Sequence, residues 1–256
     1  MNKSDLFNDK PSIINLNGKE LIVHFLVDAE GTLFVQYDPN EALTTDERNV
    51  YFLGNPPVRN REYMQSRIID IVDYYGLHSV AESIRQEPKG ENPFYFCDRL
   101  CEELLSMKFG CSGDEAMKYR EDVEVKVKGL RDPGIIEELK SRYPDLKINV
   151  LTTASPYQKG AYEKILSPYE GVGVIIANNV PVENPSKTNP KLYTKVRGAL
   201  EDSAGRSVFT FADDSAKNID AAKEGGIDIA KTFVEDEKSL TDTAIEMIED
   251  AYEGGE

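Results

Sequence analysis

Among 256 residues there is no tryptophan, there are only three cysteines and two histidines, and no long apolar run occurs. Each scarcity excludes something. Without about 18 consecutive apolar residues, no segment is long and apolar enough to cross a bilayer as a helix. The opening stretch, MNKSDLFNDKPS, has no hydrophobic segment and so does not read as a signal peptide. Cys97, Cys101 and Cys111 are an odd number for a disulfide framework. Cys97 and Cys101, four apart, can share a helix face, but only His24 and His78 are on hand as imidazole partners. Buried free thiols are therefore expected in preference to a structural zinc site. Together these features point to the cytoplasm. Positive charge is short as well: 30 Lys and Arg stand against 46 Asp and Glu, a net charge of −16. Binding a polyanion needs a basic stripe, so no nucleic acid polymer and no anionic membrane is expected as a partner.

What is present is the balance of a globular protein, 40% hydrophobic and 30% charged. The length suits one large domain, or a core carrying a smaller insertion. The run Leu21-Ile22-Val23-His24-Phe25-Leu26-Val27 stops abruptly at Asp28, as a strand buried on both faces of a parallel sheet would. His24, in mid-strand, reads as a core histidine. Ile13 to Leu16, followed by Asn17-Gly18, predicts a tight hairpin and an antiparallel edge before that strand. Further buried strands are predicted at Leu146–Leu151, Val172–Ala177, Ser207–Ala212 and Ile229–Phe233. Helical patterns fall between them at 134–142, 156–166, 190–200 and 218–224, and a last amphipathic helix spans 240–252. Strands alternating with helices of this length predict an α/β fold, a doubly wound parallel sheet of Rossmann-like type. Residues 56–125 break the rhythm: helical spacing, a predicted capping box at Ser112-Gly113-Asp114-Glu115, and no strand alternation. The expected organisation is an α/β core over 10–55 and 126–252, with an all-helical insertion at 56–125.

Acidic and polar residues cluster where the chemistry of such a fold resides. In an open parallel sheet the carboxyl ends of the strands form the ligand crevice. Asp28, Thr152 and the pair Asp213-Asp214 each follow a predicted strand and would share that edge. Carboxylates from separate strands repel one another unless a cation sits among them. With oxygen donors and no usable His or Cys, the cation expected is hard, Mg²⁺ first.

These segments resemble the four motifs of the haloacid dehalogenase-like hydrolases. Asp28-Ala29-Glu30-Gly31-Thr32-Leu33 is similar to the DxDGT[LV] signature. Asn149-Val150-Leu151-Thr152-Thr153 resembles the second motif, a hydrophobic strand ending in Thr or Ser. Lys187-Thr188-Asn189-Pro190-Lys191-Leu192-Tyr193 resembles the KPxPxIY third motif. Phe211-Ala212-Asp213-Asp214-Ser215, with Asn218-Ile219 and Ala221-Ala222, resembles the fourth in its DDSxxNIxAA form. All four occur in order, and the helical insertion falls where the family places a cap, between the first and second motifs.

The resemblance implies a phosphatase-type hydrolase acting on a small phosphorylated metabolite. It makes Asp28 the nucleophile, forming an aspartyl-phosphate and giving an oxygen to Mg²⁺ beside the Glu30 carbonyl and Asp214. It makes Glu30 the proton donor to the leaving alcohol and then the base for water. Thr152, preferred over Thr153 on strand register, and Lys187, preferred over Lys191, would hold phosphate oxygens. Asp213, Asn218 and Ser215, with Thr153, would form the supporting shell around the metal. One departure is plain: the family's phosphatases carry Asp where this chain has Glu30. A displacement of about 1 Å in a catalytic group costs on the order of a hundredfold in rate. The alternative is therefore a binding or regulatory module of the same fold with weak or no turnover. The chain is expected to be a monomer or a homodimer.

Overall fold

A computed structural model describes residues 13–16, 19–57, 60–85, 93–144, 146–201 and 207–253. The chain opens with β1 (Ile13–Leu16), β2 (Lys19–Asp28) and β3 (Phe34–Gln36). Helices follow: α1 (Pro39–Ala42), α2 (Thr45–Gly54), α3 (Arg61–Tyr75), α4 (His78–Arg85), α5 (Pro93–Phe109) and α6 (Asp114–Lys126). Then come β4 (Lys128–Leu130), α7 (Ile135–Arg142), β5 (Lys147–Thr152), α8 (Pro156–Leu166) and β6 (Val172–Ile176). A 3₁₀ turn at Ala177–Asn179 leads to α9 (Pro190–Leu200), β7 (Ser207–Asp213), α10 (Ala216–Glu224), β8 (Ile229–Thr232) and α11 (Leu240–Glu253).

The main sheet runs in the order β6-β5-β2-β7-β8. Every neighbouring pair along that path is parallel. β1 pairs antiparallel with the beginning of β2, Ile13 opposite Ile22, as the hairpin signal predicts; Asn17 and Gly18 themselves lie outside the described residues. Successive side chains of a strand point to opposite faces, and the two cores divide accordingly. Val23, Phe25 and Val27 of β2 join Ile148 and Val150 of β5 in one core, beneath residues of α7, α8 and α11. Leu26 of β2 joins Leu151, Phe209 and Phe211 in the other, with residues of α9 and α10. Burial on both faces is why β2 reads as a continuous apolar run. His24, 3% exposed, stacks on Phe209 with centroids 4.5 Å apart, the environment of a core histidine.

The sheet order carries the functional consequence. From β2 the chain builds outward through β5 and β6, then returns to the other side of β2 for β7 and β8. The order reverses beside β2, and a crevice opens at such a switch point, at the carboxyl ends of the strands. Asp28 is the last residue of that central strand.

Two compact units divide the chain: Met1–Gln36 with Lys128–Glu256, and Tyr37–Val127. The second is all helical and has its own core, with Val50 and Leu53 of α2 packed among Ile68, Ile71, Leu100 and Leu104. It begins at Tyr37, earlier than the expected residue 56. The reason lies in α1 and α2: Asp38 and Thr44 cap them, Thr44 and Glu47 form a capping box, and α2 packs on α5. The capping box predicted at Ser112 does not form. Gly113 precedes α6 with φ +52 and no side chain caps the helix there; Ser112 contributes only its carbonyl, to the Glu115 amide. Cys97 and Cys101 lie buried in this helical core, and burial pushes both thiols up to about 11.

One element carries no signal in the sequence. β3 and β4 form a separate antiparallel pair, Phe34 opposite Leu130 and Gln36 opposite Lys128. It closes the segment that leaves β2 against the segment that returns at Lys128.

Candidate active site

Three of the anticipated carboxylates gather at the end of β2 and β7. Asp28, Asp213 and Asp214 each offer an oxygen within 4.8 Å of the others, the only such His, Cys, Asp or Glu group among the described residues. Asp28 is 3% exposed and Asp213 fully buried, while Asp214 is exposed. Burial pushes the Asp28 carboxyl up to about 7, with the Asp213 charge adding to the effect and Lys187 opposing it. Asp214 is shifted upward for the same two reasons, burial first and Asp213 second. Such a cluster is short of positive charge, which is the condition a cation relieves.

Lys187 supplies part of it. Its Nζ donates to Asp28 Oδ1 and, at 3.0 Å, to Asp213 Oδ2. Burial alone would depress its pKa, but the two carboxylates outweigh burial and hold it above the usual lysine value. The loop that carries Lys187 is tied down by Tyr193, whose buried hydroxyl donates to the Lys187 carbonyl at 2.9 Å. α9 then starts at once: Asn189 Oδ1 accepts from the Lys191 amide at 3.1 Å, and Pro190 occupies the first turn. Lys191 is exposed on that helix.

Asp213 is saturated by its surroundings. Oδ1 accepts from the Ser215 amide at 2.8 Å and from Asn218 Nδ2 at 2.9 Å; Oδ2 accepts from Asn218 at 3.1 Å as well as from Lys187. Both of its oxygens are thus engaged by the protein, so that Asp28 and Asp214 could more readily hold a metal. Thr32 links the two strand ends, since its Oγ1 accepts from the Asp214 amide at 3.0 Å and lies 3.4 Å from Asp28 Oδ2. Gly31 sits at φ +84, and a Cβ there would lie 2.2 Å from Asp214 Oδ2. Only glycine permits that approach. The carbonyls of Gly31 and Thr32 accept from Arg131, at 2.9 and 3.0 Å, and those of Asp28 and Ala29 accept from the Leu33 and Phe34 amides. The turn is thus fixed on both sides of the Glu30 carbonyl. The oxygen donors assembled here, two carboxylates and a fixed loop, fit Mg²⁺.

Thr152 ends β5, 4% exposed, one residue past the Leu151 that pairs with Asp28. Its Oγ1 accepts from the Ala154 amide at 3.1 Å, so the hydroxyl proton remains to be donated elsewhere. Thr153 is exposed.

Glu30 does not join the acidic group. Its Oε1 accepts from the Tyr162 hydroxyl at 2.6 Å and from Lys128 Nζ. Burial would raise its pKa, but Lys128 and the Tyr162 hydrogen bond hold the carboxyl below the usual glutamate value. Nothing in the sequence marks Lys128, Tyr162 or Arg131 for this place. Thr32 and Tyr193 lie inside the quoted motifs, and their position there was the available signal.

No family model matches the sequence, and no curated protein matches it. Solved structures do. A HAD family enzyme from Bacteroides thetaiotaomicron, in complex with magnesium and inorganic phosphate, aligns over 84% of this chain and 96% of its own, with 15% identity and a TM-score of 0.44. The UTR4 protein of Saccharomyces cerevisiae aligns over 84% and 95%, with 13% identity and a TM-score of 0.41. A predicted HAD-like family hydrolase from Porphyromonas gingivalis aligns over 89% and 98%, with 14% identity and a TM-score of 0.42.

Proposed function

We propose that this chain is a Mg²⁺-dependent phosphomonoester hydrolase of the haloacid dehalogenase-like superfamily, acting on a small phosphorylated metabolite. The observation that carries it is the Asp28 carboxylate at the switch point of the sheet, joined by Lys187 and by Asp214, which packs closely on Gly31.

Asp28, Asp214 and the Glu30 carbonyl would hold the metal, which when bound supplies charge neutralisation between an anionic nucleophile and an anionic phosphate. The Asp28 oxygen attacks phosphorus and the bond to the leaving alcohol oxygen breaks, giving an aspartyl-phosphate. The leaving oxygen takes a proton from Glu30. Water then attacks phosphorus, gives its proton back to Glu30, and releases phosphate with Asp28 restored. Lys187 and the Thr152 hydroxyl hold the phosphate oxygens. Asp213, fixed by Asn218 and the Ser215 amide, keeps Lys187 in place, and Thr153 extends the support. The Tyr37–Val127 unit takes the role of the cap, and substrate choice is assigned to it.

The test is phosphate release from a panel of phosphorylated metabolites and from a generic aryl phosphate, with Mg²⁺ and with a chelator. Release that needs Mg²⁺ supports the assignment, and no release from any compound sinks it.

A second reading is favoured by one observation, the ion pair between Glu30 and Lys128. A general acid needs its proton, and this pairing stabilises the carboxylate. On that reading the chain binds metal and phosphate with little turnover. Glu30→Asp discriminates: a large gain in turnover marks a chain specialised away from catalysis, and a loss marks Glu30 as the working residue.

A further inference from the structure

Lys128 is an unusual residue to bury. Its side chain is 3% exposed, while that of its partner Glu30 is 53% exposed. An ammonium removed from water is costly unless it is paired and hydrogen-bonded. Here Nζ meets Glu30 Oε1, stands 3.2 Å from the Tyr162 hydroxyl, and lies 5.0 Å from the centre of the Tyr162 ring. The hydroxyl in turn donates to the same Glu30 oxygen at 2.6 Å. The Tyr162 ring is itself stacked on Phe34, centroids 4.6 Å apart, and Phe34 is the backbone bridge partner of Glu30. Elements β4 and α8 thus converge on a single carboxylate oxygen, and β3 backs the Tyr162 ring through Phe34.

Glutamate has one more rotatable bond than the aspartate of the family pattern. Left free, the longer side chain would sample positions that miss the reacting atoms, and small misplacements are costly in rate. Resting on the phosphohydrolase assignment, we propose that Lys128 and Tyr162 are positioning residues for Glu30: they pin one carboxylate oxygen so that the other is held for proton transfer at the reacting phosphate. Neither touches substrate; both act through Glu30. The small β3–β4 sheet then has a function, since it carries Lys128 to this point.

The experiment compares wild type, Tyr162→Phe, Lys128→Met, Glu30→Gln and the double variant Tyr162→Phe/Glu30→Gln. Steady-state kinetics use an aryl and an alkyl phosphate with saturating Mg²⁺, and each protein is also melted. Tyr162→Phe removes only a hydroxyl and should lower kcat about tenfold with KM unchanged, the usual effect of losing an orienting partner. Lys128→Met should lower kcat by about a hundredfold. In the Glu30→Gln background, Tyr162→Phe should cost nothing further in kcat, because the group it positions is gone. The melting temperatures of the same cycle should show residues 30 and 162 to be coupled. An unchanged kcat in Tyr162→Phe, the same loss repeated in the Glu30→Gln background, a rise in kcat, or no coupling in the melts would each overturn the proposal. Wild type that releases no phosphate overturns the hydrolase assignment and the positioning role with it, an outcome visible before any substitution is made.

Discussion

Replacing Gly31 by alanine probes the geometry on which the metal site depends. The residue has φ +84, where an L side chain costs about 1–2 kcal/mol. For a chain of this size that strain lowers the melting temperature by about 2–8 °C. The second effect is local. The new Cβ would lie 2.2 Å from Asp214 Oδ2 and 3.0 Å from its Cγ, so the Asp214 carboxylate must swing away. Displacing groups around a metal costs about 10–100-fold in affinity, equivalent to about 1.4–2.7 kcal/mol. The assay is thermal melting with and without Mg²⁺. At a concentration a hundredfold above the wild-type dissociation constant, Mg²⁺ stabilises wild type by about 2.7 kcal/mol. At the same concentration the variant should gain only about 1.4 kcal/mol for a tenfold loss of affinity, or about 0.4 kcal/mol for a hundredfold loss. A lower baseline with an undiminished Mg²⁺ increment would refute the reasoning. It would leave backbone strain as the whole effect and remove Asp214 from the metal site.

Two further predictions concern titration. The Asp28 carboxyl is raised by burial from 3.8 to about 7, so the folded chain holds that proton more tightly than the unfolded chain. Its stabilising contribution is complete below the lower value and is lost as pH rises through the upper one. In chelator, wild type should therefore lose melting temperature between about pH 4 and pH 7 relative to Asp28→Asn, and Mg²⁺ should shrink the difference; parallel pH profiles would contradict this. In the helical unit, Cys97 and Cys101 are buried with thiols pushed up to about 11, whereas Cys111 is half-buried. A disulfide reagent at neutral pH should react promptly with Cys111 and reach the other two only on denaturation, and prompt modification of Cys101 would count against the packing of α5.

The parts of this molecule that were legible in the sequence are those where one physical requirement acts alone. β2 had to be apolar on both faces, so Leu21 to Val27 announced it, and the polar residue that ends it announced the site. Lys187 and Asp213 were legible because each lies in a short motif beside a strand or helix end. The β3–β4 pair was not, because three-residue strands carry no alternation to detect. With it went Lys128, which looks in sequence like any surface lysine and becomes a buried partner of Glu30 only through the Gln36–Lys128 register. Arg131 is likewise invisible beforehand, since its guanidinium serves two backbone carbonyls about a hundred residues away. The start of the helical unit at Tyr37 carries no sequence signal for a related reason. Helices α1 and α2 follow β3 directly, and nothing in their composition assigns them to one core or the other until α2 packs on α5. Ser112 shows the converse, a capping pattern overruled because Gly113 turns the chain at positive φ.

The central claim is that Asp28 is the nucleophile, and Asp28→Asn tests it most directly. The substitution keeps size while removing the charge that Lys187 faces and turning one carboxylate acceptor into an amide donor. Phosphate release from a generic aryl phosphate with saturating Mg²⁺ should vanish in the variant, while its far-ultraviolet circular dichroism and cooperative melting persist. Turnover retained in a folded Asp28→Asn protein would contradict the account.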